Sequence, residues 1–133
     1  MIEAEKAFID TLEDLMKIME NMIKSVSNNL RNNCAADMHT LHTSEENEDP
    51  VLSILEKPFQ VMTYDKAFEI LERHSGNFTS QIKRGKGLGK EHELFLVKYA
   101  GDCPVFIIDW PQNIKPFYMK QCKHDTSKVI FHT

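Results

Sequence analysis

The sequence predicts an α+β domain of helices packed against a short, antiparallel sheet. Three observations carry this. Apolar residues recur at helical spacing over 12–30, two shorter helical patterns follow at 65–75 and 91–100, and the stretches bounded by prolines near the end are short, β-branched and aromatic. No internal repeat is present. The 133 residues suffice for one domain with a modest core.

The first helix opens at Asp10 or Thr11, and Glu13 or Asp14 completes a capping-box pattern. Leu12, Leu15, Met16, Met19, Met22, Ile23, Val26 and Leu30 form its apolar stripe. Asn28, Asn29, Asn32 and Asn33 weaken helix propensity and end it. Residues 34–50 then read as a loop with a polar, acidic end. Within it, Cys34, His39 and His42 are zinc-type ligands, but no fourth ligand has motif spacing, so no metal is assigned.

Val51 to Leu55 spell one helical turn, and Phe59 to Thr63 alternate as a strand. Asp65 is the expected cap of the next helix. Ala67, Phe68, Ile70 and Leu71 form its buried face, and Ser75-Gly76 stop it. Glu91 to Ala100 form a third helix with acids in its first turn, Leu94, Phe95 and Val97 inward, and Gly101 at its end. Pro104 to Pro111 read as one strand buried on both faces, Phe117-Tyr118-Met119 as the start of a second, and Val129-Ile130-Phe131 as the start of a third.

Composition excludes several function classes. Hydrophobic residues make up 41% and charged residues 27%, which is ordinary for a folded soluble domain. No apolar run approaches the roughly 18–20 residues of a membrane helix. Lys+Arg 16 against Asp+Glu 20 gives a charge of −4, so the chain as a whole is not a basic nucleic-acid binder. Three scattered cysteines do not make a disulfide scaffold and fit a reducing compartment. Met1 to Lys6 carry two acids and no apolar core, so they are not a signal peptide or an Arg-rich presequence.

The local charge is different. Lys83, Arg84, Lys86 and Lys90 interleave with Gly85, Gly87 and Gly89. A phosphate-binding P-loop fails here, because Arg84 stands where its first Gly belongs and Glu91 follows Lys90. Two readings stay open: a solvated loop, or a mobile cationic loop that touches a phosphate backbone.

Three segments together resemble the class II asparaginyl-tRNA synthetases of the bacterial and mitochondrial branch. The first is Met1-Ile2-Glu3-Ala4-Glu5 with Phe8 and Asp10 to Met16, similar to the end of the second signature motif and the helix after it. The second is Glu91-His92-Glu93-Leu94-Phe95-Leu96, similar to the Glu-His-Glu helix start. The third runs from Pro104-Val105-Phe106-Ile107 through Ile114-Lys115-Pro116-Phe117-Tyr118-Met119. Tyr64 to Leu71 fit the small helix between them. The family's Trp-Gly-x-Asp-Leu segment is replaced by the Lys83–Gly89 stretch.

The resemblance implies a partial catalytic domain over 1–133: the end of the second motif and a long helix in 1–33, an insertion in 34–103 and catalytic-sheet strands in 104–133. It implies ATP-dependent attachment of asparagine to tRNA, with ATP and magnesium as cofactors and asparagine and tRNA as partners. The matched stretch leaves out the first motif, the ATP-binding arginines and the anticodon-binding barrel, so the isolated chain is expected to be inactive. The family is homodimeric, but its dimer motif is not matched. Glu3, Lys115 and Tyr118 correspond to the amino-acid pocket. The branch implies the mitochondrial matrix, with the cytoplasm as the alternative. A rival function is a non-catalytic module that pairs with a full synthetase or, through Lys83, Arg84, Lys86 and Lys90, with RNA.

Overall fold

The computed structural model describes residues 6–41 and 50–130, which fall into two units that meet in the chain at Pro58. The first unit begins with a capping box. The Thr11 hydroxyl accepts the Asp14 N–H at 3.1 Å, and the Asp14 carboxylate accepts the Thr11 N–H at 3.1 Å. Helix α1 then runs Leu12–Asn33, through Asn28 and Asn29, and closes on Cys34, whose N–H reaches the Leu30 carbonyl. Ser27 is buried in it and donates to the Ile23 carbonyl at 2.9 Å, which satisfies its hydroxyl.

The expected loop after α1 is in part a helix. Helix α2 spans Ala35–Leu41, started by a Met38 N–H to Cys34 carbonyl bond. Its alanines and leucine favour the helix. Helix α3, Pro50–Glu56, opens with Pro at the position where a missing N–H does no harm. Arg31 of α1 pairs with Glu56 of α3.

In the second unit, strand β1 (Gln60–Thr63) runs into helix α4 (Tyr64–Arg73) without a loop. Helix α5 (Lys90–Tyr99) follows, and strand β2 (Val105–Ile108) returns beside β1. That pair is parallel, with Gln60 opposite Val105 and Thr63 opposite Ile108. The sequence predicts an antiparallel sheet, and the difference has a cause. The α4–α5 excursion is long enough to carry the chain back to the same end, which a parallel pair requires. Strand β3 (Trp110–Pro111) pairs antiparallel with β4 (Lys128–Val129). The α+β class therefore holds, built from small two-stranded pairs.

Four local expectations are corrected. The Pro104–Pro111 run is two strands, because Asp109 takes φ 56° and turns the chain between them. Only Phe106 of β2 is buried; Val105, Ile107 and Ile108 are half-buried, so the run is not covered on both faces. Phe117 and Tyr118 lie in a turn closed by the Met119 N–H on the Pro116 carbonyl, not in a strand. Thr63, not Asp65, caps α4 by accepting the Lys66 N–H. In α5 the inward residues are His92 and Leu96, with Phe95 and Val97 partly buried, while Leu94 is exposed. Gly101 ends α5 at φ 88°, a conformation suited to glycine.

The core of this unit is made by its own residues. Tyr64, Phe68, Trp110 and Val129 form one cluster, and Ala67, Ile70, Leu71 and Leu96 another. The buried face read from the α4 sequence supplies half of them. Residues 131–133 lie outside the described residues, so the expected strand at Val129-Ile130-Phe131 is seen only as β4 and Ile130.

Candidate functional site

The Gly-rich basic loop is anchored by α4. Tyr64 is buried at the start of that helix, and its hydroxyl works in both directions. It accepts the Gly85 N–H at 3.0 Å and donates to the Lys86 carbonyl at 2.9 Å. Gly85 sits at φ 75°, where a side chain is disfavoured. A turn between Lys83 and Lys86 closes on the Lys86 N–H. Arg84 reaches back to Asp65 at 2.8 Å and lies 4.5 Å from the Phe68 ring centre. Asp65 also holds Lys128 at 2.7 Å. The Lys128 ammonium, then burial and the Arg84 charge, act on the Asp65 carboxyl, and the net effect is a pKa below the usual range. The loop, read from the sequence as either solvated or mobile, is therefore held at Tyr64 and Asp65.

The four cations thus divide. Arg84 is used internally. Lys83, Lys86 and Lys90 are exposed, and among the described residues no carboxylate pairs with their ammonium groups.

The other end of the loop is fixed by Glu91 and His92. The Glu91 carboxylate accepts from the Thr79 N–H and hydroxyl at 3.1 and 3.0 Å, from the Ser80 N–H at 2.8 Å, and from the Ser80 hydroxyl. These donors, the Ser80 hydroxyl foremost, hold its pKa down at about 2. The Gly89 N–H donates to His92 Nδ1 at 3.0 Å. A backbone N–H can only donate, so the His92 proton sits on Nε2, which faces the Ser80 carbonyl at 3.4 Å. His92 is therefore a capping group for α5 and not a base aimed at Ser80.

Lys115 lies under Trp110, with Nζ 3.8 Å from the ring centre. Burial lowers its pKa, and the Glu93 charge opposes that shift. The Trp110 ring is itself fixed by Nε1 donating to the Ile107 carbonyl at 2.8 Å. Tyr118 is separate from this pair. It is 72% exposed in its turn, edge-on to Phe117. Glu3, His42 and the His39 side chain lie outside the described residues. Sequence reasoning missed Tyr64, Glu91 and Trp110 as anchors; the partners of Tyr64 and Glu91 lie 11 to 22 residues away, and Trp110 holds Ile107 and Lys115 through a turn that no local pattern marks.

Between α4 and the 79–83 segment lies an open groove of about 370 Å³, lined among others by Phe68, Glu72, Phe78, Gln81, Ile82 and Lys83. Lys83 thus belongs both to the groove and to the basic loop.

These elements can be set beside known proteins. Residues 1–132 match the family of tRNA synthetases class II (D, K and N), and the chain belongs to that family. Within it, the chain is similar to asparaginyl enzymes. The chain is 38% identical over 122 residues to the Homo sapiens asparaginyl-tRNA synthetase, covering 90% of this chain and 26% of that protein. It is 38% identical over 130 residues to a mitochondrial asparagine–tRNA ligase of Schizosaccharomyces pombe, covering 98% and 27%. Its fold is similar to the crystal structure of Pyrococcus horikoshii asparaginyl-tRNA synthetase complexed with asparaginyl-adenylate. The TM-score is 0.75 at 27% identity, over 93% of this chain and 26% of that one. The chain spans about a quarter of the length of the relatives it matches.

The family implies ATP and magnesium, and the described residues do not fit them. A triphosphate needs cations that converge on it. The sequence has three arginines, and each faces a carboxylate of its own unit: Arg31 with Glu56, Arg73 with Glu69 at 4.0 Å, and Arg84 with Asp65. Among the described residues no three His, Cys, Asp or Glu side chains gather to hold a metal. Nor, among them, is any helix long and apolar enough to cross a membrane.

Proposed function

We propose that this chain is the amino-acid-facing segment of an asparagine–tRNA ligase, active only together with the rest of the catalytic domain. The observation that carries this is identity of 38% with asparaginyl enzymes along 90–98% of the chain, at about a quarter of their length. ATP and magnesium are then held by residues outside this segment. The completed enzyme joins asparagine to tRNA, as a homodimer, in the mitochondrial matrix; the mitochondrial name of the fungal relative favours that compartment over the cytoplasm.

In this reading Glu3 accepts from the side-chain NH2 of asparagine and repels aspartate. Lys115, desolvated against Trp110, offers a fixed cation to the polar end of the substrate. Tyr118 closes the pocket from its turn. A second reading, a module that pairs with a full synthetase or with RNA through residues 83–90, is favoured by Lys83, Lys86 and Lys90, which have no carboxylate partner among the described residues.

The test is an exchange of segments. The 133-residue chain alone should give no asparagine-dependent ATP–pyrophosphate exchange. Placed in the S. pombe ligase instead of its matching stretch, it should support exchange with asparagine and not with aspartate. Glu3→Gln in that chimera should erode the preference by about 1–3 kcal/mol, as loss of a charged hydrogen bond does. A chimera with native-like circular dichroism and no exchange overturns the proposal. An unchanged preference removes Glu3 from the pocket.

A further inference from the structure

We propose that Tyr64 and Trp110 are positioning residues that tie the 83–89 loop to Lys115, so that the Lys115 ammonium is aimed only while Tyr64 holds the loop. This deepens the ligase reading and rests on it for the place of Lys115 in the amino-acid pocket. The juxtaposition that carries it is a run of three contacts through two buried rings. The loop meets Tyr64, Tyr64 meets Trp110, and Trp110 meets Lys115.

The contacts leave little slack. The Tyr64 hydroxyl holds the backbone of both Gly85 and Lys86. Its ring is 1% exposed and lies 5.1 Å from the Trp110 ring, which is 8% exposed. Buried rings packed at native density do not move singly, so a shift of one displaces the other. Ile82 and Leu88, which bracket the loop's turn, pack on this same cluster, and so does Ile114, which precedes Lys115. A second route runs alongside. A side chain begun at Gly85 would meet Asn113 Nδ2 at 3.8 Å, so the loop also lies against the turn that carries Lys115.

Lys115 depends on this support. Among the described residues no carboxylate forms an ion pair with its ammonium, and Glu93 of α5 acts on it through charge alone. A lysine stem is flexible, and an unsupported one samples many rotamers. The indole face supplies the fixed direction, because a cation is drawn to its centre. Trp110 can do this because its own Nε1 is fixed on the Ile107 carbonyl. A cation aimed before the substrate arrives loses little entropy on contact, whereas a freed one loses it at binding. Release of the loop therefore weakens asparagine binding and leaves the chemical step unchanged. The loop acts here by its backbone at Gly85 and Lys86, not by the charge of its lysines.

The experiment is NMR of the 133-residue chain carrying isotope-labelled lysine. The Trp110 ring current should displace the Lys115 Hε protons upfield, with exposed Lys123 as the internal reference. Trp110→Phe should shrink the displacement, which assigns it to this ring. Gly85→Ala strains the loop at φ 75° and meets neither ring within 4 Å. It should reduce the displacement by about half or more, and Tyr64→Phe should do the same. Ile70→Val, buried in the neighbouring cluster, should lower stability and leave the displacement in place, which separates the link from general loosening. In the S. pombe chimera, Gly85→Ala and Tyr64→Phe should each raise the KM for asparagine about threefold at unchanged kcat, with the KM for ATP unmoved. A displacement unchanged in both loop variants overturns the proposal and leaves the ligase reading standing. A lost displacement with an unchanged KM supports the link and removes Lys115 from the pocket. A chimera without exchange ends the ligase reading, and the NMR of the chain alone still decides the link.

Discussion

Glu91 stands in the first turn of α5, where the helix dipole already favours a carboxylate, yet its oxygens are turned to Thr79 and Ser80. Those donors hold its pKa at about 2 against an ordinary value of 4.5. A carboxyl depressed in the folded state adds stability that is fully present above its unfolded value. That stability is lost as pH falls from about 4.5 towards 2. The urea midpoint should therefore drop over this window. Glu91→Gln should lower the midpoint at pH 7 and make the acid limb shallower, although Asp14, Asp65 and Asp125, whose pKa values are also depressed, retain part of it. A limb of unchanged steepness would separate Glu91 from acid stability. Tyr64 invites a similar test. Tyr64→Phe keeps the buried ring and removes the hydroxyl shared by Gly85 and Lys86. It should cost about 1 kcal/mol in urea unfolding and speed tryptic cleavage at Lys83, Arg84 and Lys86.

At the scale of elements, α4 separates a cap from an ion pair. Thr63 and Asp65 are both capping residue types, but only Thr63 is extended, at φ −73° and ψ 152°, with its hydroxyl on the Lys66 N–H. Thr63→Ala should cost about 1 kcal/mol by urea unfolding. Asp65→Asn should cost less, because exposed ion pairs such as Asp65–Arg84 contribute little. The reverse order would return the cap to Asp65. This case also marks what the sequence reveals. The helical stripe of α1, the Thr11 box and the inward face of α4 are local signals, and they are legible. The parallel register of β1 and β2 is set by where a long excursion returns, and the Asp109 break by one backbone angle, so neither shows in a pattern of two or 3.6. The basic loop was legible as charge. That Arg84 is spent depends on Asp65 and Phe68, which lie far back in the chain. Lys115 was legible as a charge near a strand end, but not its place under Trp110.

At the scale of the whole molecule, the two units are unequal in what they bury. The first has Met16 and Leu52 as its buried apolar side chains among the described residues. The second holds both core clusters, and every residue named in them lies between Met62 and Val129. Two-state unfolding rests on such a shared core, since loss of one packed side chain weakens its neighbours. Residues 59–133 should therefore fold when expressed alone. Trp110 reports on this, because it is the one tryptophan in the sequence and it packs on Tyr64 at 5.1 Å between ring centres. Its emission should shift in a single transition with urea, with a slope of about 1 kcal/mol per molar for a domain of this size. The midpoint should fall with Leu71→Ala, which empties a fully buried position and costs about 2–5 kcal/mol. Leu94→Ala, on the exposed face of α5, should shift it by less than about 0.5 kcal/mol. Phe117→Ser should leave the midpoint in place too, because that ring is 94% exposed and outside both clusters. A broad drift of Trp110 emission, with no plateau at low urea, would mean that the second unit needs the first to hold its core together.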